Sequence, residues 1–307
     1  MSNKEPELIG RIVKALSGYY YVRPETDAAG DGMIQCRARG IFKKRGESPL
    51  VGDLVAYEET DNGEGAVNRI LPRHSELLRP PVANVELAVL VFSITEPALN
   101  LQLLDKFLAH IEHAGLQPII CLSKLDLAAE DQDGADVMGQ IEQIYRSIGY
   151  EIYNTSSLLR EGTTELEARL AGHLSVFAGQ SGVGKSSLLN SIVPGLELNT
   201  AAISNKLGRG KHTTRHVELI RIAGGGYVAD TPGFSQLDFQ ELGIEELSTC
   251  FPEFRERAGD CKFRGCTHTH EPSCAVLEAL EHGEISPSRH EHYLLFLAEM
   301  KDKKRRY

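Results

Sequence analysis

The sequence predicts a protein of several domains: a small N-terminal β-barrel, a central α/β domain and a C-terminal helical domain that holds a metal. Three observations predict this organisation. Short strand-like runs fill residues 1–75, nucleotide-site motifs follow strand-like runs in residues 76–245, and three cysteines cluster with histidine in residues 246–307. A chain of 307 residues is long enough for two or three domains, each with its own core.

The N-terminal segment contains five short apolar runs that are separated by Gly, Pro or Asp. The predicted strands are Ile9–Val13, Tyr19–Val22, Met33–Ala38, Leu54–Tyr57 and Ala66–Ile70. Five strands of this length fit a small OB-like barrel. We therefore expect an OB-like domain over residues 1–75, with a boundary near residue 75 that Pro72, Pro80 and Pro81 indicate.

Aromatic and cationic side chains occur together in this barrel segment, as binding of single-stranded nucleic acid requires. The candidates are Tyr19, Tyr20, Tyr21, Arg37, Arg39, Lys43, Lys44 and Arg45. In the alternative interpretation the tyrosines pack in the core and the Lys/Arg run is a solvated loop. Composition favours neither interpretation.

The strongest motif of the central segment is a phosphate-binding loop that matches G-x-x-x-x-G-K-[ST] in full. The apolar run Leu174–Ala178 before it is a predicted buried strand, which gives the strand, loop and helix order that the motif requires. Lys185 is expected to reach the β- and γ-phosphates, and the Ser186 hydroxyl to bind Mg²⁺. The predicted nucleotide contacts of the loop are Gly179, Gln180, Ser181, Gly182, Val183, Gly184, Lys185, Ser186 and Ser187.

A base-reading motif comes earlier in the chain, after the predicted strand Gln117–Leu122. The motif consists of Ser123, Lys124, Leu125 and Asp126. Ligands bind at the C-terminal ends of strands in open α/β sheets, which is where this motif would lie. The carboxylate of Asp126 can accept hydrogen bonds from guanine N1–H and the 2-amino group, which adenine does not offer. Asp126 is therefore the predicted guanine selector.

The order of these motifs is unusual, because an ordinary GTPase has its phosphate loop first and its base-reading motif last. The sequence therefore predicts a circularly permuted P-loop GTPase over residues 76–245. Ser123 departs from the common form of the motif, which has Asn or Thr, so a hydroxyl replaces an amide. A second base-side loop is predicted at residues 154–157, with Ser156 as its nucleotide contact.

Two segments after the phosphate loop have the spacing of γ-phosphate sensors. A D-x-x-G motif, Asp230 to Gly233, follows a strand-like run. Asp230 would hold Mg²⁺ through water, and the Gly233 N–H would donate a hydrogen bond to the γ-phosphate. The Gly-punctuated run 208–214 is typical of a segment that orders around γ-phosphate and Mg²⁺. Either Thr213 or Thr214 is expected to be a second Mg²⁺ ligand.

The group that orients the attacking water is not obvious. Phe234 stands where many GTPases have a Gln, and Phe cannot hydrogen-bond to water. His212 is the best local candidate to replace it, and the alternative is that His212 only packs in or caps its loop. The predicted catalytic groups are therefore His212, Lys185 and Gly233, acting on GTP with Mg²⁺.

A cysteine cluster predicts the metal site of the C-terminal domain. The proposed ligands are Cys261, Cys266, His268 and Cys274. Three thiolates and one imidazole within a short segment suit tetrahedral Zn²⁺, and four protein ligands leave no open position, so one structural zinc is expected. His270 is the alternative fourth ligand, and a loop of free thiols is the alternative to a metal site.

Residues 288–300 have the pattern of an amphipathic helix, followed by the basic run 301–306. His290 and His292 are two residues apart, which is poor spacing for one helical face, so both are expected on the surface. The basic run could contact a phosphate backbone, although a solvated, frayed end is the commoner case.

Charge and composition limit the remaining possibilities. The net charge of −10 argues against a generally basic nucleic-acid coat. Residues 76–245 carry 12 Lys and Arg against 21 Asp and Glu, so the flanking segments are near neutral and can present local basic faces. The polar start, the scattered remaining cysteines and the lack of long apolar runs predict a reduced, cytoplasmic protein without a signal peptide or a membrane partner. We also expect a monomer.

Together, the order of the segments and the phrases G-Q-S-G-V-G-K-S-S, G-R-G-K-H-T-T, D-T-P-G-F and C-x₄-C-x-H-x₅-C resemble the RsgA family of small ribosomal subunit biogenesis GTPases, also called YjeQ or YloQ. The resemblance covers essentially the whole chain. It implies a GTPase that binds the immature small ribosomal subunit, contacts its rRNA through the OB-like and zinc domains, and acts late in maturation with hydrolysis stimulated by the subunit. The alternatives are an RNA-binding scaffold that holds GTP with little turnover, and a P-loop ATPase with metabolic substrates.

Overall fold

The computed structural model describes residues 7–26, 32–60, 63–78, 80–129, 132–193, 195–196, 198, 217–230 and 242–305. The described residues form two compact units. Unit one takes its residues from 1–88, 163–178 and 189–234, and unit two takes its residues from 89–162, 179–188 and 235–307. The domain boundaries near residues 75 and 245 stay predictions.

Strands dominate the first part of the described chain, and strands and helices alternate over residues 87–192. The strands are β1 (Leu8–Leu16), β2 (Tyr19–Pro24), β3 (Ile34–Ala38), β4 (Leu54–Glu59), β5 (Gly65–Ile70), β6 (Glu76–Leu78), β7 (Pro81–Ala83), β8 (Leu87–Ser93), β9 (Gln117–Ser123), β10 (Glu151–Asn154), β11 (Leu174–Ala178), β12 (Glu218–Arg221) and β13 (Tyr227–Asp230). The α-helices are α1 (Ile41–Arg45), α2 (Leu101–His113), α3 (Leu125–Ala129), α4 (Gln132–Ser147), α5 (Thr163–Leu170), α6 (Lys185–Ile192), α7 (Pro252–Arg255), α8 (Ala275–Glu281) and α9 (Pro287–Arg305).

The N-terminal strands form a closed five-stranded barrel in unit one. They pair in the order β1, β2, β3, β5 and β4, and β1 also pairs with β4, which closes the sheet. The side chains of Ile12, Val22, Val55 and Val67 are fully buried inside. Closure removes both sheet edges and covers this apolar set. The predicted N-terminal barrel is confirmed, and its five strands lie where the apolar runs indicated.

The other strands of unit one continue from the barrel. Strand β12 pairs with β1 at Lys14 and Glu218, whose side chains form an ion pair of 2.8 Å. Strand β13 pairs antiparallel with β12 and parallel with β11. The short hairpin of β6 and β7, which sequence analysis did not predict, follows the barrel. Asp230 is therefore the last residue of a strand, as predicted for the D-x-x-G motif.

Unit two contains β9 and β10, which pair in parallel, and β8 from Val89 onward, which lies beside β9. All seven residues of β8 are buried, and six of the seven in β9 are buried as well. Buried strands of mostly apolar residues are typical of parallel sheets with both faces covered. Asn100 caps the start of helix α2, because its side chain accepts a hydrogen bond of 2.9 Å from Leu103 N.

The C-terminal segment of unit two packs around an aromatic cluster. The Phe254 ring lies 5.1 Å from Phe251 and 5.0 Å from Tyr293, centroid to centroid. Beside it, the buried guanidinium of Arg289 donates to Asp105 Oδ1 on α2 at 2.7 Å and to Glu253 Oε1 at 2.8 Å. A buried cation that contacts two carboxylates fixes α9 against α2 and α7.

The sequence expectation for the histidines of α9 is wrong. His290 is buried and its Nε2 lies 2.8 Å from the carbonyl oxygen of His268. His292 is half-buried, with Nδ1 2.5 Å from Asp105 Oδ2. Helix α9 contacts the metal-loop residues on one side and α2 on another, so positions two residues apart both meet protein. Among the described residues, none of the helices has the length and apolar character needed to cross a bilayer.

Candidate functional site

The phosphate loop connects β11 to α6 and approaches β8 closely. Gly179 has φ of 140°, and a Cβ added there would lie 2.1 Å from the Val91 carbonyl oxygen, so only glycine fits. Lys185, the first residue of α6, donates hydrogen bonds to the carbonyl oxygens of Gly179 at 2.8 Å and Gln180 at 2.5 Å. The loop is therefore wound around the ammonium group, in the form expected of a phosphate cradle.

Two features of α6 bear on anion and metal binding at this loop. Burial lowers the pKa of Lys185 to about 8, because the partly buried ammonium group loses hydration, and a bound anion would offset that loss. Ser186 follows on the first turn of the helix and is buried, whereas Ser187 beside it is only partly covered. The N–H groups of a first helical turn have no partner within the helix and attract negative charge.

The base-reading motif lies at the end of β9, as the sequence indicated. Lys124 has φ of 58°, a left-handed conformation that is costly for a residue with a Cβ. Its Nζ donates a hydrogen bond of 2.6 Å to the Glu96 carbonyl oxygen, and a Cβ added to Gly184 would lie 3.9 Å from its Cε. The side chain of Lys124 therefore runs from the base-reading motif along the phosphate loop.

Ser123 joins the two nucleotide motifs directly. Its buried hydroxyl oxygen lies 2.5 Å from the Val183 carbonyl oxygen in the phosphate loop and 3.1 Å from the Phe92 carbonyl oxygen in β8. A hydroxyl has one proton, so it can donate to only one of the two carbonyls at a time, whereas an amide could donate to both. The replacement of Asn by Ser keeps the link to the phosphate loop with one donor fewer.

The predicted second base-side loop also meets this motif. Ser156 Oγ donates a hydrogen bond of 2.6 Å to Asp126 Oδ1, and the Leu159 N–H donates to the same hydroxyl oxygen at 3.1 Å. The backbone closes the turn by a bridge between Ser156 and Glu161. A neighbouring loop therefore holds the Asp126 carboxylate in place. Its second oxygen can accept a hydrogen bond from a ligand.

Several predicted site residues lie outside the described residues. They are His212, Thr213, Thr214 and Gly233, together with Phe234. Asp230 is described as the end of β13, but its side chain is not described. The structure therefore brings together the base-reading and phosphate-binding residues of unit two, and the γ-phosphate sensors stay predictions.

The four predicted metal ligands form one cluster. The ligand atoms of Cys261, Cys266, His268 and Cys274 all lie within 4.8 Å of one another. Cys261 Sγ is 3.9 Å from Cys274 Sγ, and His268 Nδ1 is 3.7 and 3.3 Å from these two sulfurs. Tetrahedral zinc with its usual bond lengths would separate two sulfurs by about 3.8 Å and a sulfur from a nitrogen by about 3.6 Å. The cluster therefore has room for one such ion.

His268 belongs to this cluster, whereas His270 is exposed and its Nδ1 lies 2.8 Å from the Thr269 hydroxyl.

Three residues that sequence analysis missed hold the ligand loop. Tyr293 donates to the Thr267 carbonyl oxygen at 2.7 Å, and His290 contacts the carbonyl of His268. Glu271 accepts hydrogen bonds from Thr267 N at 2.7 Å and Thr269 N at 2.9 Å. Such supporting bonds orient metal ligands.

Glu271 stays charged in this position. Burial alone would raise its pKa, but hydrogen bonds from the Thr267 hydroxyl and from the loop N–H groups outweigh it and hold the pKa well below its usual range. The E after T-H-T-H is the one signal in the sequence that could have suggested this role, since a carboxylate often supports a metal loop.

The barrel surface brings one predicted aromatic residue and one predicted cation together. The Arg37 guanidinium lies over the Tyr19 ring, 4.6 Å from its centroid, and it also hydrogen-bonds to the Tyr19 hydroxyl. Arg39 pairs with Glu58. Tyr20 and Tyr21 are partly exposed, and neither is a fully buried core residue. The geometry thus favours a surface role over core packing for Tyr19.

Comparison with known proteins identifies close relatives. A family model described as RsgA GTPase matches residues 70–240, and one described as RsgA N-terminal domain matches residues 9–67. Proteins named small ribosomal subunit biogenesis GTPase RsgA are 53% identical in Bacillus velezensis and 52% identical in Bacillus subtilis, each over 97% of this chain and 99% of the relative.

Two solved structures are similar over nearly the full length. The crystal structure of YloQ, described as a circularly permuted GTPase, has a TM-score of 0.85 at 45% identity and covers 100% of this chain and 99% of its own. The crystal structure of YjeQ from Thermotoga maritima has a TM-score of 0.85 at 37% identity and covers 96% of this chain and 98% of its own. The predicted circular permutation is confirmed by the first of these likenesses.

Proposed function

The chain belongs to the RsgA family of GTPases, and we propose that it hydrolyses GTP while bound to the small ribosomal subunit, whose late maturation it assists. One observation carries the nucleotide half of this proposal. Ser123 joins the base-reading motif to the phosphate loop, and Ser156 holds the Asp126 carboxylate beside it. A selector for guanine and a cradle for phosphates therefore form one continuous site. The relatives' name supports the ribosomal half.

In this proposal the protein contributes charge and position. Lys185 holds the β- and γ-phosphates, and the N–H groups of residues 179–187 surround them. The Asp126 carboxylate accepts hydrogen bonds from guanine N1–H and the 2-amino group. The Gly233 N–H meets the γ-phosphate, and His212 orients the attacking water in the place of a Gln.

Ser186, either Thr213 or Thr214, and Asp230 through water are the proposed Mg²⁺ contacts. Hydroxyl and carboxylate oxygens are the ligands that this cation prefers, and the buried hydroxyl of Ser186 at the start of α6 fits that role. Bound Mg²⁺ would neutralise charge that develops on the phosphate oxygens.

We further propose that the metal of the C-terminal cluster is one structural Zn²⁺. The support is the donor set of three thiolates and one imidazole, together with separations close to those of a tetrahedral site. Four protein ligands leave no position for a substrate, and the ion would order a segment that contains little regular structure between α7 and α8.

The proposed partner surfaces are the barrel of residues 1–75 and the metal segment of residues 246–307. In the sequence they precede and follow the GTPase segment of residues 76–245. The stacked pair of Tyr19 and Arg37 supports an RNA contact by the barrel, because such pairs bind bases and phosphates together. In this proposal the protein acts as a monomer in the cytoplasm.

The guanine assignment is tested by Asp126→Asn. This change is expected to weaken GTP and GDP binding by at least about 100-fold, because it removes two charge-assisted hydrogen bonds of about 1.5–3 kcal/mol each. Xanthine nucleotides should bind the variant better than they bind the wild type, because their 2-oxo group accepts from the new amide. Calorimetric titration with GTP, GDP and xanthosine triphosphate measures both effects.

The matched control is Asp136→Asn, the same change at an exposed position of α4. It should bind GTP as the wild type does. Unchanged GTP affinity in Asp126→Asn would remove Asp126 from the site, and improved ATP binding without improved xanthosine triphosphate binding would contradict its role as a guanine selector.

A further inference from the structure

The metal segment carries an exposed aromatic ring at the tip of its first ligand loop. Phe263 lies between the ligands Cys261 and Cys266 and is 45% exposed. Among the exposed large hydrophobic side chains of the described residues, it is the only aromatic one. It is not part of the hydrophobic cluster that forms the core of this segment. Packing within the described structure therefore does not explain why an aromatic residue is placed there.

Two cations flank this ring. Lys262 Nζ lies over the Phe263 ring, 5.5 Å from its centroid. Lys262 and Arg264 are both exposed, and neither forms an ion pair with a carboxylate within the part of the chain that the structure describes. In a protein with a net charge of −10, a tip with two unpaired cations and a bare ring is a local exception.

The tip is also held firmly at both of its ends. Cys261 and Cys266 belong to the four-ligand cluster, and Lys262 N donates a hydrogen bond of 3.1 Å to the Ser273 carbonyl oxygen. Gly265 closes the turn with φ of 73°. A four-residue loop fixed at both ends has little backbone freedom left to lose, so binding through it costs less entropy.

We propose that Lys262, Phe263 and Arg264 form a docking surface for an unpaired nucleotide of RNA. The base stacks on the face of Phe263 that Lys262 does not cover, and Lys262 and Arg264 contact the phosphates on either side. An aromatic ring with two flanking cations matches a base between two phosphates better than it matches an apolar protein groove, which would leave both cations without partners. This surface rests on the proposed function for its biological RNA, the rRNA of the small subunit.

The test uses the full-length protein with its metal. Binding of a fluorescein-labelled uridine decamer is followed by fluorescence anisotropy at several salt concentrations, and binding of purified small subunits by co-sedimentation. We expect Phe263→Ala to weaken decamer binding about tenfold, and Phe263→Trp to restore it. Lys262→Ala and Arg264→Ala should each reduce the slope of log binding constant against log salt concentration by about one, which corresponds to the loss of one phosphate contact.

Two controls separate this surface from general effects. Leu295→Ala removes an exposed apolar side chain of α9, and Arg146→Ala removes an exposed cation of α4, outside the proposed partner surfaces. Both should bind the decamer as the wild type does. Zinc content and GTP hydrolysis without a partner should be unchanged in all these variants, because none of the changed residues is a metal ligand or a nucleotide contact.

The proposal is overturned if the wild type does not bind the decamer, or if Phe263→Ala binds the decamer and small subunits like the wild type. It is also overturned if Phe263→Ala no longer binds small subunits but still binds the decamer like the wild type, because the tip then contacts a protein. If the wild type binds the decamer through Phe263 but does not bind small subunits, the proposed function fails and the RNA surface stands.

Discussion

Replacing Cys266 with alanine is expected to remove the metal and unfold the segment around residues 255–280. Structural zinc contributes on the order of 10–16 kcal/mol to the folding of small sites at neutral pH, which exceeds the stability of most domains. The wild type should carry about one zinc per chain, and Cys266→Ala almost none. Elemental analysis measures the metal, and hydrogen exchange measures protection of the segment.

The control is Cys250→Ala, because Cys250 is buried in the same hydrophobic cluster but is not a metal ligand. It should keep its zinc. His268→Ala should lose the metal, whereas His270→Ala should keep it. GTP binding should survive in Cys266→Ala, since the proposed nucleotide contacts come from other segments. Stoichiometric zinc in Cys266→Ala would contradict the assignment.

Replacing Lys185 with alanine is expected to lower kcat/KM for GTP by at least about 100-fold, which is the usual loss when one preorganised charge on a reacting group is removed. GTP affinity should fall more than GDP affinity, because the side chain is proposed to contact both the β- and γ-phosphates. Lys185→Arg should not restore the rate, since the wider guanidinium does not fit the two loop carbonyls that the ammonium group contacts.

A pH profile adds a second measurement for the same residue. The ammonium form binds phosphate, and burial lowers its pKa to about 8, whereas contact with a triphosphate would raise it. Wild-type GTP affinity should therefore fall by up to about tenfold per pH unit above 8. Lys106→Ala, which removes a lysine paired with Glu299, should keep this profile, and Lys185→Ala should lose it. A wild-type profile in Lys185→Ala would contradict the role of Lys185.

Local patterns made most of the fold and of the site predictable. The phosphate loop could be located because its glycines and Lys185 follow one another in a short run, and the cysteine–histidine cluster because three thiols and one imidazole occur within 14 residues. Barrel strands could be located from short apolar runs. In each case the residues that define the feature are close in sequence, so spacing alone carries the information.

Contacts between distant residues could not be predicted in this way. The Ser123 hydroxyl meets a carbonyl 60 residues away, and Arg289 meets Asp105 from 184 residues away. His290 and His292 were expected on the surface because a single helical face was assumed for α9, yet the helix contacts protein on two sides. Sequence spacing describes one helix, and it does not show what packs around it.

The buried pair of Arg289 and Asp105 also affects how the ribosomal proposal should be tested. Ending the chain near residue 245 would remove Arg289, which pairs with Asp105, and would expose the side of α2 that α9 covers, so the truncated chain would lose stability as well as a partner surface. Point variants are therefore better than truncations. His212→Ala is the informative variant: if small subunits stimulate it as much as the wild type, the proposed function survives and His212 has no catalytic role.

The most direct test of the central claim is the steady-state GTPase rate of the wild type with and without purified small ribosomal subunits. We expect slow hydrolysis alone, because Phe234 cannot orient water, and at least about tenfold faster hydrolysis with small subunits, as a docked partner completes the site. An unchanged rate in the presence of small subunits that bind the protein would contradict this account and would favour an RNA-binding scaffold that holds GTP.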